Sequence, residues 1–170
     1  MMNPVYFDDL KAGDALPSLR QGPISTAHIM RWSAASENWH RIHFDREYAV
    51  GHDKLPNVII NGSWKQNVLV QLLTDWAGDT GWLWKIGFQF RGMNLPGETL
   101  QVWGKILTLE DHGVYGVVNL EIGVLNDAEN ESTPGTATVV LPKRNGPAVP
   151  YPFDTSILKG KTANTKAVAT

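Results

Sequence analysis

Ten consecutive residues, Ser36-Glu37-Asn38-Trp39-His40-Arg41-Ile42-His43-Phe44-Asp45, bring together two imidazoles, an amide, two carboxylates and a guanidinium. Imidazole changes charge near neutral pH, so His40 and His43 are the groups in this stretch that can take up and return a proton. Further on, Asn61-Gly62 opens a long apolar run with helical spacing. The first N–H groups of a helix have no partner within it, and they carry the positive end of its dipole. A histidine that moves a proton, near a helix start that holds a negative oxygen, is the minimum equipment for chemistry at an acyl thioester.

Each candidate has a chemical and a structural reading. His43 is either a general base or a histidine bound to a backbone carbonyl. Asn38 cannot be a base, because an amide has no proton-accepting equilibrium near pH 7; it can position a water molecule or make a structural bond. His40 is a second acid/base or substrate-binding candidate, with the structural reading favoured. Asp45 reads as a helix N-cap before it reads as a partner for His43. Arg41 and Glu37 are placed for a local ion pair. Gly62 either leaves its N–H open to an oxygen or permits tight packing. Asn61 and Ser63 flank it as substrate-binding candidates. Lys85, Arg91, Lys105, Lys143 and Arg144 are either solvated or available to phosphates. His40 and His43 lack a third ligand at a suitable spacing, so no metal site is expected.

These groups must be positioned by one domain, since 170 residues lie within the usual size of one. Tyr6 to Asp14 is a turn-rich lead-in. Ser25 is a natural N-cap for a helix to about Ser36, with Ile29, Trp32 and Ser33 on one face. Asp45 caps a second short helix, Arg46 to Val50, and Val58-Ile59-Ile60 reads as a brief strand. Trp64, Val68, Leu69, Leu72, Leu73 and Trp76 then recur at helical spacing, and Gly78 is a natural stop. After Gly78 the period drops to two. Trp82, Trp84, Ile86, Phe88 and Phe90 fall on one face, followed by alternating runs around Leu100–Ile106, Val118–Val124 and Ala137–Leu141. Short turns between these runs imply an antiparallel sheet. An apolar helix beside a sheet with one apolar face predicts an α+β fold, a long central helix wrapped by a curved antiparallel sheet. The domain is expected over 1–144, with 145–170 an extended, mobile tail rich in proline and small residues.

Composition narrows the function. The net charge of −2 and the absence of a basic patch with interleaved aromatics argue against nucleic acid as a partner. With no cysteine, thiolate nucleophiles and disulfides are excluded. No apolar run approaches the ~20 residues of a membrane span. The N-terminus lacks a basic-then-apolar signal pattern, and a cytoplasmic location is expected.

The motif and the element order together resemble the MaoC-like dehydratase/(R)-specific enoyl-CoA hydratase family of the hotdog superfamily, over residues 6–142. The family pattern runs Ser/Gly-Asp-x-Asn-Pro-x-His, with Asp two residues on. Asn38, His40, Arg41, His43 and Asp45 stand at its marked positions, with the histidine kept and Asn38 in place of the catalytic Asp. Asn61-Gly62 stands where the family usually has His-Gly. The form of the motif is similar to a sub-branch that includes mesaconyl-CoA hydratases and mitochondrial-type 3-hydroxyacyl-thioester dehydratases. Val58 to Gly78 resembles the small subunit of bacterial steroid side-chain enoyl-CoA hydratases, which work as complexes of two hotdog chains.

The resemblance implies a hotdog fold and reversible hydration of a 2-enoyl-CoA, or dehydration of a 3-hydroxyacyl thioester, without metal or cofactor. It implies His43 as base, Asn38 as holder of the water, and the Gly62 N–H at the thioester oxygen. The substrate is an acyl-CoA or acyl-carrier-protein thioester, and the assembly a homodimer or a heteromer with another hotdog chain. Its rival is a non-catalytic hotdog subunit that shapes the acyl tunnel of a heteromeric hydratase. A thioesterase would need a carboxylate near the helix start, and Asn61 to Gln71 contains none.

Overall fold

The computed structural model describes residues 4–158 and the backbone of 166–167. In chain order the elements are β1 (Leu19–Gln21), α1 (Thr26–Ala35), α2 (Arg46–Gly51), α3 (Gly62–Ala77), β2 (Trp82–Phe88), β3 (Leu100–His112), β4 (Tyr115–Leu125), β5 (Glu131–Pro142) and β6 (Lys166–Ala167). Single 3₁₀ turns occupy Phe7–Asp9, Arg41–His43 and Thr155–Leu158. The sheet order is β1-β3-β4-β5-β2, with β6 pairing β3 off this path, and every pairing is antiparallel.

One face of this sheet holds the long helix. Val68, Leu69, Leu72, Leu73 and Trp76 of α3 join Leu100, Val102 and Ile106 of β3, Leu120 and Ile122 of β4, and Val139 and Leu141 of β5 in a single core. Each such side chain contributes about 1.5–3 kcal/mol relative to exposure. The helical period of α3 and the alternation of the strands therefore bury the same volume from two sides. This is the hotdog arrangement that the change of period predicts. Gly78, at φ 64°, ends α3 in a conformation that favours glycine.

Two local expectations are corrected. Val58-Ile59-Ile60 is not a strand; it is an extended link that donates its Ile59 and Ile60 N–H groups to Ile42 O and Asn94 O. The alternation drawn through Trp82, Trp84, Ile86, Phe88 and Phe90 is broken. A register shift between Leu83 and Lys85 inserts one extra residue into β2 against β5. A bulge of this kind moves the side chains before it to the opposite face. Leu83, Ile86 and Phe88 pack on the central core, while Trp82 and Trp84 pack on the outer face of the sheet. The strand ends at Phe88, and Phe90 lies beyond it, 52% exposed.

The outer face explains why the chain continues past Pro142. Tyr115, Val117 and Val140 form a second cluster there, covered by Trp82, Trp84, Val149, Phe153, Ile157 and Leu158. The Val149 N–H donates to Thr80 O, and the Tyr115 hydroxyl donates to Ala148 O at 3.3 Å. The stretch read as a tail from 145 is thus docked along the outer face as far as 158. The rest of that expectation falls on 159–170, outside the described residues except for the backbone of β6.

Candidate active site

The histidine motif begins where α1 ends. Ser25 caps α1, accepting from the His28 N–H at 3.3 Å while His28 Nδ1 accepts from the Ser25 N–H. At the other end Glu37 adopts a left-handed conformation, φ 51°. The Glu37 N–H reaches Ala34 O and the Asn38 N–H reaches Ser33 O at 2.9 Å, the bond pattern that closes a helix and reverses the chain. Asn38 Oδ1 then accepts from the His40 N–H at 3.3 Å. The following 3₁₀ turn, Arg41–His43, ends against α2, whose N-cap is Asp45, accepting from the Tyr48 N–H at 2.9 Å. Arg41 pairs with Asp45 at 2.7 Å, not with Glu37 as its position suggested.

This turn presents His43 inward, 7% exposed. Its Nδ1 lies 2.9 Å from Ile59 O. A carbonyl only accepts, so Nδ1 carries the proton and Nε2 keeps its lone pair. Burial pushes the His43 pKa below the ordinary histidine value; the Ile59 bond opposes this and nearby His40 adds to it. The imidazole is therefore held neutral and basic near pH 7.

His43 lines a cleft of about 370 Å³ together with Ile59, Ile60, Gly62, Lys65, Phe90, Arg91, Gly92 and Met93. The imidazole and the start of α3 thus share one cleft. Among the described residues no group takes the Gly62 N–H. The missing Gly62 side chain has a definite occupant, because a Cβ there would lie 2.8 Å from the Phe90 ring. Gly62 brings Phe90 against the first turn of the helix, so the close approach expected for an oxygen is made by this ring on one side.

The other expected site residues are not gathered here. Asn38 is half-buried and does not line the cleft; its oxygen holds the turn that carries His40 to His43. His40 is exposed, its ring centroid 6.2 Å from that of His43, and it too is outside the lining. Asn61 is wholly buried, and its amide bonds the Ser33 hydroxyl, Nδ2 donating at 3.0 Å. It ties α3 to α1 and faces no open space. Ser63 accepts from the Trp32 indole N–H at 2.8 Å. It points to α1, where Trp32 and Trp64 stack at 5.6 Å beside a separate cleft lined by His28, Arg31, Trp32, Ala35 and Trp64. Of the five surface cations, Arg91 lines the His43 cleft, while Lys143 pairs with Asp111 and Arg144 with Asp9.

Sequence reasoning missed Lys65 and Phe90. Lys65 is 2% exposed and donates to Gly92 O at 2.8 Å. Burial lowers its pKa from 10.5 to about 8, with Glu98 opposing. The available signal was a lysine inside the apolar stripe of α3, three residues after Gly62, a spacing that puts both on one helix face. Among the described residues no group of three or more His, Asp or Glu side chains is placed to hold a metal ion, and no helix is long and apolar enough to cross a membrane.

With this geometry in place, comparison with known proteins is informative. The family model described as hydroxyacyl-thioester dehydratase type 2 matches residues 12–96, half of the chain, including the Asn38–His43 turn and all of α3. No curated protein matches the sequence. A MaoC-like dehydratase from Rhodospirillum rubrum superposes with a TM-score of 0.71 at 20% identity, over 82% of this chain and 98% of that one. The (R)-hydratase from A. caviae involved in PHA biosynthesis gives 0.68 at 18% identity, over 78% and 98%. A chain of the ChsH1-ChsH2 complex from Mycobacterium tuberculosis gives 0.67 at 18% identity, over 77% and 98%. These structural likenesses establish the hotdog fold.

Proposed function

The chain belongs to the hydroxyacyl-thioester dehydratase type 2 family, and from that premise we propose that it catalyses reversible hydration of a 2-enoyl thioester, carried by CoA or acyl carrier protein. The observation that carries this reading is the single cleft shared by a neutral, buried imidazole and a helix-start N–H that no group among the described residues takes. In the forward direction His43 Nε2 takes a proton from water as the oxygen bonds to C3. The C2–C3 π pair moves toward C1, and charge collects on the thioester oxygen. The Gly62 N–H receives that oxygen; a backbone donor fixed in advance needs no reorganisation as charge develops. The imidazolium returns its proton to C2, and one water has been added. Dehydration is the same path reversed. Asn38 enters as the residue that holds the His40–His43 turn in register.

The test is to incubate the purified chain with short, long and bulky 2-enoyl-CoAs and follow loss of the conjugated thioester. Turnover with at least one of them is expected. No turnover with any, in a folded sample supplied with no partner, favours the second reading, a hotdog subunit that shapes the acyl tunnel of a heteromeric hydratase. That reading has its own support in Asn38, an amide outside the cleft where the family has an acid. β2 lies at the end of the strand order and pairs only with β5 among the described residues, so its other edge is open to a second hotdog chain, like or unlike.

A further inference from the structure

Lys65 is the buried ionisable group of the cleft that the hydration scheme leaves unused. It sits in the first turns of α3, where the helix dipole already disfavours a cation. It is 2% exposed, and among the described residues no carboxylate pairs with it. Lysines are almost never buried without such a partner. Among the described residues its one hydrogen bond is to Gly92 O, which occupies one of three ammonium N–H groups. The charged or titratable groups around it are His43 and Arg91, which line the same cleft, and Glu98, whose carboxylate is taken by the Asn94 amide at 2.9 Å. Phe90 stands over the ammonium at 5.2 Å on one side. The cleft lining therefore carries cations and no carboxylate, and Lys65, with only the nearby charge of Glu98 to offset it and no ion pair, is one helical turn from Gly62.

We propose that Lys65 is a catalytic residue of this site, its ammonium meeting the thioester oxygen alongside the Gly62 N–H and balancing the negative charge that forms there when water adds to C3. This rests on the hydration reading of the cleft. It also answers the chemical question raised by Asn38. With no carboxylic acid at that position, His43 both takes the proton from water and returns it to C2, and the intermediate between those two steps is an enolate that needs a positive partner. An ammonium in a site of low dielectric serves that need without giving up its own proton. The buried position that makes the lysine costly in the free protein makes it effective once an oxyanion is present.

The experiment measures kcat and KM from about pH 6 to about pH 10 for wild type, Lys65→Met and Lys65→Arg, with melting curves to check folding. Wild type should lose kcat/KM on an alkaline limb as the ammonium, lowered to about 8 in the free protein, gives up its proton. Lys65→Met should lower kcat by about a hundred- to a thousandfold with little change in KM, and the limb should vanish. Lys65→Arg should keep more of the rate and carry the limb out of range, because a guanidinium stays protonated. A folded Lys65→Met with kcat within about threefold of wild type, or one that changes KM alone, overturns the proposal. If Lys65→Met does not fold, the Arg variant decides: an alkaline limb that stays where wild type has it overturns the proposal. If wild type turns over no enoyl thioester, the hydration reading fails and this inference with it. An active wild type with an indifferent Lys65 sinks only the inference.

Discussion

The buried charge of Lys65 makes a prediction about stability that does not depend on any substrate. A fall in pKa from 10.5 to about 8 corresponds to roughly 3 kcal/mol of preference for the neutral amine in the folded chain. Below about pH 8 both folded and unfolded chains hold the proton, and the folded state bears the full penalty. Between about pH 8 and 10.5 the unfolded chain still binds the proton that the folded chain has released, so stability rises with pH. This is opposite to the behaviour of a lysine stabilised by an ion pair. Lys65→Met deletes the titration while keeping length and apolar volume. At pH 7 it removes the penalty but leaves Gly92 O without its donor, at a cost of about 1–3 kcal/mol, so the two proteins should have similar stability there. Near pH 10.5 wild type should have gained about 3 kcal/mol on the variant. Urea unfolding at the two pH values reads this as a relative midpoint shift of roughly 1 M or more, with tyrosine ionisation cancelling between the proteins. Stability differences that agree at both pH values within about 0.5 kcal/mol would refute the reasoning.

Three further outcomes follow from the same cleft. His43→Ala should lose about a hundred- to ten-thousandfold in turnover with an enoyl thioester, and the acid limb of wild-type kcat/KM should lie below the ordinary histidine value of 6.5, since burial lowers this pKa; a limb above 6.5 would count against a desolvated base. Gly62→Ala and Gly62→Pro both displace the Phe90 ring, but only proline deletes the N–H and proline is tolerated at a first helical position; the proline variant should be slower than the alanine variant by about a hundred- to a thousandfold, and equal rates would remove Gly62 from the site. Asn61→Ala should lower stability by about 1–3 kcal/mol in chemical unfolding, because it strands the buried Ser33 hydroxyl; a stable variant with a raised KM would restore Asn61 as a substrate contact.

The parts of this fold that rest on period were readable from the chain. The stripe Val68, Leu69, Leu72, Leu73 and Trp76 fixed α3, and alternation fixed the three long strands, because in each case burial of one face dictates the spacing. Ser25 and Asp45 were readable as caps, since a side-chain oxygen beside unpaired N–H groups has few better uses. The face of Trp82 and Trp84 was not, because alternation carries no mark of the extra residue that shifts β2 against β5. Lys65 escaped because a lysine in an apolar stripe is ordinarily read as a long stem that lifts its charge to water, and nothing local shows that Phe90 stands over its ammonium.

That the polar neighbours of Gly62 do not line the cleft has one physical cause. Asn61 and Ser63 were chosen because they adjoin Gly62 in sequence, but successive helical residues turn by about 100°, so neighbours look in different directions. Asn61 turns to Ser33 and Ser63 to Trp32, both on α1. The residues three and four positions on, Lys65 and Gln66, lie on the same side of the helix as Gly62; Gln66 is exposed and Lys65 lines the cleft. Asn38 and His40 were read from their places in the motif, and of its three site candidates the 3₁₀ turn Arg41–His43 brings only His43 into the cleft. Helical period, applied to the polar residues of α3 as strictly as to its apolar ones, narrows the partners of Gly62 to Lys65 and Gln66, and only Lys65 is buried. A buried ammonium and a helix-start N–H that no group among the described residues takes thus line the same cleft as the one imidazole that the preceding turn delivers to it.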